Sequence, residues 1–324
     1  MSYAFDGEPA LGHLPGRRLV LVHAHPDDET LTTGITMAQA VAEGVEVTLV
    51  TCTLGEQGEV IPRELKHLEG RDDAALAHHR AAELAAAMRA IGVRDHRVLG
   101  GGRWRDSGME WLEPGIAGGL DAAHAQAAHP AAFARADLDE AAGLLADVLR
   151  DVRPQVVVTY DPQGGYGHPD HVMAHRVTMR AVELAERDAA RPGWMVPAVH
   201  WVQVAQSWAD AERRAVLAAA ADGRLPEGMT ASGASDPFPP AVVPDDLLDV
   251  VVEAPQHLDA VVAALRSHVT QVRVEPPWFA LSNDVARRLT GREGFRRVRG
   301  PRAATRGRVA DDLFAGLDIG APRD

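Results

Sequence analysis

The feature that most constrains the fold is an alternation of short apolar runs with longer segments of helical periodicity. Residues 18–23 and 155–160 are continuous apolar runs of strand length, and residues 45–51 predict a further strand. A strand that is covered on both faces of a sheet has this composition, whereas a strand with one solvated face alternates apolar and polar residues. The runs therefore predict parallel strands buried between two layers of helices.

Helices are predicted between these strands at residues 30–43, 72–91 and 137–152. Gly44 and Gly92 end the first two, since glycine readily adopts the left-handed conformation that closes a helix. A short strand is predicted at residues 97–99. Regular alternation of strands and helices predicts an α/β fold with a doubly wound, mostly parallel, Rossmann-like sheet, in which ligands bind at the carboxyl ends of the strands.

The last third of the chain is less regular. A strand is predicted at residues 199–204 and helices at 210–221 and 257–268, with a glycine- and proline-rich stretch at 223–244. We therefore divide the chain into three predicted regions: a loose lead-in over 1–16, an α/β core over 17–198, and a smaller C-terminal subregion over 199–324 packed on the sheet.

Charge and cysteine content exclude several classes of partner. The formal net charge of -13 would repel a nucleic acid or an anionic membrane surface. The arginine cluster within 287–308 lacks interleaved aromatic residues, so we interpret it as a solvated surface and not a nucleic-acid site. Cys52 is the single cysteine, and no segment reads as an export signal or a membrane span, so a cytoplasmic protein is expected.

Histidine and carboxylate residues follow the first predicted strand directly, in the sequence His25-Pro26-Asp27-Asp28-Glu29. The His-x-x-Asp spacing allows both side chains to reach one metal ion. Taken alone, the segment is equally consistent with an acidic loop whose aspartates cap the following helix.

A second cluster follows the strand at 155–160, in the sequence Gly167-His168-Pro169-Asp170-His171, where the proline is suited to begin a helix. The carboxyl ends of parallel strands meet at the same edge of a sheet. Two clusters of this kind after two different strands therefore predict a metal site.

The residue types available also bear on the metal. Two histidines and one carboxylate leave a coordination position open, as a catalytic zinc ion requires. A closed structural site needs a fourth protein ligand, and the chain has no Cys-x-x-Cys pair. Because the same ligand set suits non-haem iron, Zn²⁺ is the predicted cofactor and Fe²⁺ the alternative.

The two motifs together resemble the signature of the zinc-dependent deacetylases that act on N-acetylglucosaminyl-phosphatidylinositol. Further segments resemble the mycothiol-pathway branch of that family, the N-acetylglucosaminyl-inositol deacetylases, namely residues 51–60, 102–109, 164–168, 268–272 and 280–283. The resemblance spans nearly the whole chain after the lead-in. It implies a metal-dependent hydrolase that removes acetyl from a small amino-sugar substrate, with the core carrying the metal and the C-terminal subregion completing the substrate cleft.

The resemblance implies three metal ligands, His25, Asp28 and His171. It makes Asp27 the general base toward the attacking water, a role suited to a carboxylate that adjoins a ligand. His175 lies four residues after His171 on the predicted helix, and we interpret it as a supporting residue and not a ligand.

The resemblance also implies roles for three residues of the second motif. His168 would stabilise the oxyanion or protonate the leaving amine, and Asp170 would orient its ring. Tyr166, on a glycine-flanked loop, would move in to the tetrahedral intermediate.

For substrate binding, the resemblance assigns Arg80 and Asp106 to sugar hydroxyls, away from the reacting amide, and places Glu59 near them. Thr30 stands where serine is expected and Gln57 where glutamate is expected. These departures bear on fine specificity and leave the reaction unchanged.

Three other functions fit parts of the pattern. The sister amidase that cleaves mycothiol S-conjugates shares the metal site, but proline is expected there in place of Gly167. A non-catalytic sugar-binding module of the same fold would be expected to have lost Asp27 or His168, and both are present. Iron oxygenases with this ligand set usually occupy β barrels. The sequence makes no prediction of the oligomeric state.

Overall fold

The central sheet is built from strands along most of the chain. The structure, a computed structural model, describes residues 16–69, 73–113, 116–118, 129–187, 192–301 and 309–319. The predicted lead-in lies outside these residues except for Gly16. In chain order the strands are β1 (Arg18–His23), β2 (Glu46–Thr51), β3 (Asp95–Val98), β4 (Glu110–Glu113), β5 (Ile116–Gly118), β6 (Val156–Thr159), β7 (Ala198–Ala205), β8 (Val242–Val243), β9 (Val250–Glu253), β10 (Arg273–Glu275), β11 (Trp278–Ala280), β12 (Arg287–Arg288) and β13 (Arg292–Arg299).

The longer helices of the described residues flank this sheet. They are α1 (Asp28–Ala42), α2 (Asp73–Ile91), α3 (Leu138–Val152), α4 (Pro169–Glu186), α5 (Gln206–Ala221) and α6 (Leu258–Ser267). Short helical turns occupy Arg63–Leu68, Leu99–Gly101, Phe133–Arg135, Gly164–Gly167, Asp245–Leu247 and Pro255–His257. Within the part of the chain that the structure describes, none of the helices has both the length and the apolar character to cross a membrane.

The order of strands in the sheet reverses between β1 and β6. The sheet runs β3-β2-β1-β6-β7-β13-β9, with β8 added alongside β7. Strands β3, β2, β1, β6 and β7 are parallel, and β13 is antiparallel to both of its neighbours. In a doubly wound sheet the loops leave in opposite directions at such a reversal and open a crevice at the carboxyl ends of the strands. The predicted α/β class and mostly parallel sheet are confirmed.

Alternating side chains of β1 divide the core into two layers. Leu19 and Leu21 belong to a buried cluster that includes residues of α1, α2 and α6. Val20 and Val22 belong to the cluster on the opposite face, which includes residues of α3 and α4. All four side chains are fully buried, as the continuous apolar run predicts for a strand covered on both faces.

Local signals placed the helix ends to within a few residues. Asp137 caps α3, since its carboxylate accepts a hydrogen bond from the backbone N–H of Glu140 at 2.8 Å. Helix α1 begins at Asp28, two residues before the predicted start, and the side chain of Asp27 before it makes no capping hydrogen bond.

The C-terminal third contributes directly to the central sheet. β7 is parallel to β6, and β13 and β9 continue the sheet beyond it. The short strand β8 lies alongside β7, and β10, β11 and β12 form a small antiparallel sheet. The division at residue 198 into a core and a subregion stays a prediction, since the sheet continues across it.

Helix α3 offers a direct test of this packing. Leu145 is fully buried, whereas the adjacent Leu144 is only partly buried. Leu145→Ala should lower the free energy of unfolding by about 2–5 kcal/mol, because it removes packed methyl groups and leaves a cavity. Leu144→Ala is the control variant. Denaturant unfolding should show a clearly smaller loss of unfolding free energy for Leu144→Ala than for Leu145→Ala. Equal losses would mean that the helix does not pack as described.

Candidate metal centre

The two predicted clusters lie beside each other at the strand-order reversal. One occupies the loop between β1 and α1, and the other precedes and begins α4 after β6. Because β1 and β6 are adjacent and parallel, both loops leave the same edge of the sheet. The side chains of His25, Asp28 and His171 are buried there.

His171 presents one ring nitrogen to this site. Its Nδ1 is 3.2 Å from the carbonyl oxygen of Gly164, which can only accept, so Nδ1 carries the proton and Nε2 keeps a lone pair. Nε2 is buried, has no hydrogen-bond partner among the described residues, and lies 3.2 Å from Oδ2 of Asp28. A buried imidazole nitrogen in this state is a natural metal ligand.

His25 is arranged in the same way with its nitrogens exchanged. Its Nε2 is 3.1 Å from Oδ2 of Asp170, which fixes the ring and leaves Nδ1 free to bind. Nδ1 lies 3.2 Å from Oδ2 of Asp28. The backbone N–H of His25 also donates to that oxygen at 2.9 Å, which holds the Asp28 carboxylate in place.

These separations fit a tetrahedral metal site. With bonds of about 2.0–2.1 Å, neighbouring ligand atoms of a tetrahedral zinc site are about 3.3 Å apart. Both nitrogen-to-oxygen separations at Asp28 are 3.2 Å. Oδ2 of Asp28 is therefore spaced to share a divalent cation with either histidine nitrogen.

Other combinations of ligands are also close. The ligating atoms of His25, His168 and His171 lie within 4.8 Å of one another, as do those of His25, Asp106 and Asp170. In the second group, the contacts of His25 with Asp170 and Asp106 are made by Nε2, which is already hydrogen-bonded to Asp170. Asp28 instead lies beside the ring nitrogens of His25 and His171 that their own hydrogen bonds leave free.

The charge balance of the site favours a cation. Burial lowers the pKa of His25, but Asp106, Asp170 and Asp28 outweigh it and raise that pKa well above its usual value. Burial likewise raises the pKa of Asp28, but the neighbouring His171 and His25 outweigh it and hold that pKa well below its usual range. Without a cation, the buried carboxylates therefore favour a proton on His25, and a bound divalent cation would replace that positive charge.

Asp27 lies beside this cluster, next to Asp28 in the chain. Its backbone has φ 111° and ψ −36°, and its Oδ2 accepts a hydrogen bond from Arg80 at 3.2 Å. Burial raises the pKa of Asp27 to about 7; Arg80 opposes the shift and Asp28 adds to it. A cation bound at Asp28 would lower this pKa again.

Asp170 contacts two histidine rings of the site. Its backbone N–H donates to Nδ1 of His168 at 3.1 Å, with His168 as the N-cap of α4. The carboxylate of Asp170 accepts from His25 and from the backbone N–H and hydroxyl of Ser107. The carboxylate therefore orients the ring of His25, and the predicted contact with the ring of His168 is made by the backbone N–H. The neutral ring of His168 carries its proton on Nε2.

Burial accounts for the state of His168. It lowers the pKa of His168 well below the usual value, and the charges of His25 and His171 lower it further. The ring packs on that of His171, with centroids 4.9 Å apart. His168 is therefore a neutral hydrogen-bond donor in this environment.

Glycines shape the loop that carries Tyr166. Gly164, Gly165 and Gly167 all have positive φ, and a Cβ on Gly164 would lie 2.6 Å from the backbone nitrogen of Val172. Tyr166 is half-buried, and its ring centroid is 5.0 Å from that of His171. The loop thus brings the tyrosine against the ligand cluster.

The residues assigned to the sugar lie closer to the cluster than expected. Arg80 is buried and donates to the carbonyl oxygens of Gly55 and Pro26 as well as to Asp27. Asp106 is buried with Oδ1 3.6 Å from Nε2 of His25. Both adjoin residues of the metal motif, and their assignment to sugar hydroxyls away from the reacting amide stays a prediction.

Glu59 and Glu56 occupy different positions in the loop after β2. The side chain of Glu59 is exposed, whereas Glu56 accepts the backbone N–H of Asp106 at 3.0 Å. Glu56 was not singled out from the sequence. The sequence signal that could have identified Glu56 is its position in the same acidic loop as Glu59.

Two aromatic residues support the ligands. The ring of Tyr160 stacks on His171 with centroids 4.2 Å apart, and its hydroxyl accepts the backbone N–H of Ala24 at 3.0 Å. His175 donates from Nδ1 to the carbonyl of Tyr160 at 2.9 Å. His175 therefore supports Tyr160, the residue that stacks on His171.

Comparison with known proteins gives close relatives over nearly the full length. A protein of Streptomyces avermitilis named 1D-myo-inositol 2-acetamido-2-deoxy-alpha-D-glucopyranoside deacetylase is 50% identical over 309 residues, covering 94% of this chain and 98% of the relative. A protein of the same name from Kribbella flavida is 46% identical over 312 residues, covering 95% and 100%.

Solved structures share the fold at low sequence identity. The 4-carboxy-2-hydroxymuconate hydratase of Pseudomonas putida aligns with a TM-score of 0.51 and 17% identity, over 89% of this chain and 98% of that one. That enzyme is a hydratase, so the likeness indicates the fold and carries no information on the reaction.

The family model for the PIG-L proteins, described as GlcNAc-PI de-N-acetylase, matches residues 20–182. The matched region includes both motifs of the metal centre. The resemblance indicated by those motifs is thereby confirmed, and the chain belongs to the PIG-L family of GlcNAc-PI de-N-acetylases.

Proposed function

We propose that this protein hydrolyses the acetamide of 1D-myo-inositol 2-acetamido-2-deoxy-α-D-glucopyranoside, releasing acetate and the free amine, as a step of mycothiol biosynthesis. The observation that carries the proposal is the convergence of His25, Asp28 and His171 beside a buried carboxylate, Asp27. The relatives of that name support the substrate, since they match over nearly their whole length.

The proposed ligands are Nδ1 of His25, Oδ2 of Asp28 and Nε2 of His171, with Zn²⁺ as the ion and Fe²⁺ as the alternative. The free lone pairs on both histidines and the spacing of 3.2 Å to Asp28 support this set. A divalent cation bound there would polarise the acetamide carbonyl and lower the pKa of a water molecule.

Asp27 is the proposed general base. Its carboxylate adjoins the ligand Asp28 in the chain and is held by Arg80. A base in this position can accept a proton from the attacking water, and its burial favours proton transfer near neutral pH.

His168 and Tyr166 are the proposed donors toward the reacting acetamide. Nε2–H of the neutral His168 can donate to the negative charge that develops on the carbonyl oxygen, and this arrangement favours the oxyanion role over protonation of the amine. The hydroxyl of Tyr166 is a second proposed donor, carried by the glycine-rich loop. The carboxylate of Asp170 is proposed to support the ligand His25 through its hydrogen bond to Nε2, the ring nitrogen not used for the metal.

Asp106 is the best-supported sugar ligand among the three proposed. It is buried next to His25 and is fixed from its backbone by Glu56. Arg80 and Glu59 are also proposed to bind the sugar. The guanidinium of Arg80 already donates hydrogen bonds to the carbonyl oxygens of Gly55 and Pro26.

Metal content tests the ligand assignment. His25→Ala, Asp28→Ala and His171→Ala should each lose bound metal, because each removes one of three donors. His175→Ala should retain it, since that ring contacts Tyr160 and not the cluster. Elemental analysis of the purified variants makes the comparison, and full occupancy in His171→Ala would refute the assignment.

Replacing the proposed base separates proton transfer from metal binding. Asp27→Asn keeps the size of the side chain and should retain the metal, while kcat falls by roughly 10² to 10⁴. Acetate release provides the assay. Asp222→Asn, at an exposed aspartate, is the control and should keep wild-type turnover. Near-normal kcat in Asp27→Asn would assign the base role elsewhere.

Substrate comparison tests the inositol-sugar assignment. Asp106→Ala should lower kcat/KM for the inositol sugar at least about tenfold, roughly 1.4 kcal/mol of transition-state stabilisation, with metal content unchanged. Plain N-acetylglucosamine should be a much poorer substrate for the wild type. Equal rates with both sugars would instead indicate a general amino-sugar deacetylase, and faster cleavage of a mycothiol S-conjugate would favour the amidase.

A further inference from the structure

We infer that Glu29 and His268 form a positioning pair that holds Asp27 in the backbone conformation its proposed role as base requires. The inference rests on the proposed function of Asp27.

The backbone of Asp27 needs external support. Three non-glycine residues of the described chain have positive φ, and those of Arg153 and Asp284, at 53° and 55°, are in the ordinary left-handed range. Asp27, with φ 111°, lies well outside it. A conformation of this kind is strained and persists where surrounding contacts fix it.

Glu29 supplies the first of these contacts. Its Oε2 accepts the backbone N–H of Asp27 at 2.9 Å. From the other side, Arg80 binds the carbonyl oxygen of Pro26 and the carboxylate of Asp27. The peptide unit between Pro26 and Asp27 is thus held at its N–H by a carboxylate and at its carbonyl by a guanidinium.

His268 holds Glu29 in turn. Its Nε2 is 3.0 Å from Oε1 of Glu29, and the hydroxyl of Thr30 donates to the same oxygen at 2.5 Å. His268 directly follows α6, so the contact links the C-terminal part of the chain to the first motif. Because these contacts fix the carboxylate of Glu29 at Oε1, its Oε2 is held toward the backbone N–H of Asp27.

Both side chains of the pair are fully buried. They are therefore out of reach of substrate, which makes them positioning residues and not catalytic ones. A buried ion pair is often no more stabilising than apolar residues of similar volume, so stability alone is a weak reason for its presence. Its geometric effect on Asp27 provides the stronger reason.

Loss of Glu29 should let Asp27 relax and move its carboxylate relative to the attacking water. A misplacement of about 1 Å at a reacting group can cost about 10²-fold in rate. Asp28 keeps its own hydrogen bond from the backbone of His25, so the metal ligands should stay in place. The expected signature is a lower kcat with unchanged KM and metal content.

A double-mutant cycle tests whether Glu29 acts through Asp27. Glu29→Ala should lower kcat for acetate release about 10- to 100-fold, and should have little further effect when made in the Asp27→Asn background. Glu29→Gln keeps an acceptor for the N–H of Asp27 and should recover much of the lost rate. Wild-type kcat in Glu29→Ala, or a full additional loss in the Asp27→Asn background, would overturn the inference.

Thr270→Val is the matched control. The hydroxyl of Thr270 donates to Glu83 at 2.8 Å, a buried contact of the same segment that does not reach Asp27. It should lower Tm while kcat stays near wild type. If it lowers kcat as much as Glu29→Ala does, the effect of Glu29 is general destabilisation and the inference fails.

A crystal structure of a pair variant decides the question independently of substrate. In Glu29→Ala, the φ angle of Asp27 should change from about 111° to a negative value. If Glu29→Ala folds poorly, His268→Gln takes its place in this measurement. An unchanged torsion angle would overturn the inference. Inactivity of the metal-loaded wild type toward the inositol sugar would instead refute the proposed function. The φ angle of Asp27 in the variant would then still test the positioning role of Glu29 and His268.

Discussion

The contact of two histidine nitrogens with one oxygen of Asp28 is the interaction on which the rest of the site depends. Nδ1 of His25 and Nε2 of His171 are each 3.2 Å from Oδ2 of Asp28. This spacing requires that the loops after β1 and β6 begin at the same edge of the sheet, which two adjacent parallel strands provide. The sheet therefore determines where a cation can bind.

Several buried contacts fix the orientation of the ligands. The carbonyl of Gly164 sets the tautomer of His171, and Asp170 sets that of His25. Asp170 is itself held by Ser107, which lies on a separate loop. Loss of such outer contacts typically costs 10–100-fold in metal affinity or activity. The PIG-L motif thus works together with residues outside the two motifs.

Much of this arrangement was predictable from local sequence. Continuous apolar runs predict buried parallel strands, and two His/Asp clusters after two such strands predict a shared site, because strand direction alone brings them together. The family resemblance then assigned individual roles. Helix ends followed from capping residues such as Asp137 and from glycines such as Gly92.

The remaining features depend on contacts between distant residues. From the sequence, the carboxylate of Asp170 could contact the ring of His168 or that of His25. The packing of α4 against the loop after β1 places it against His25. The inward position of Arg80 depends on the path of the loop at Gly55, where a Cβ would lie 2.0 Å from its guanidinium. Pairing of Glu29 with His268 spans most of the chain. No local periodicity or spacing encodes these contacts.

Anomalous X-ray diffraction of the zinc-loaded protein, measured on both sides of the zinc absorption edge, tests the central claim most directly. The account predicts one strong anomalous peak about 2.0–2.2 Å from Nδ1 of His25, Oδ2 of Asp28 and Nε2 of His171. A peak bound instead between His25, Asp106 and Asp170, or no peak within reach of Asp28, would contradict it.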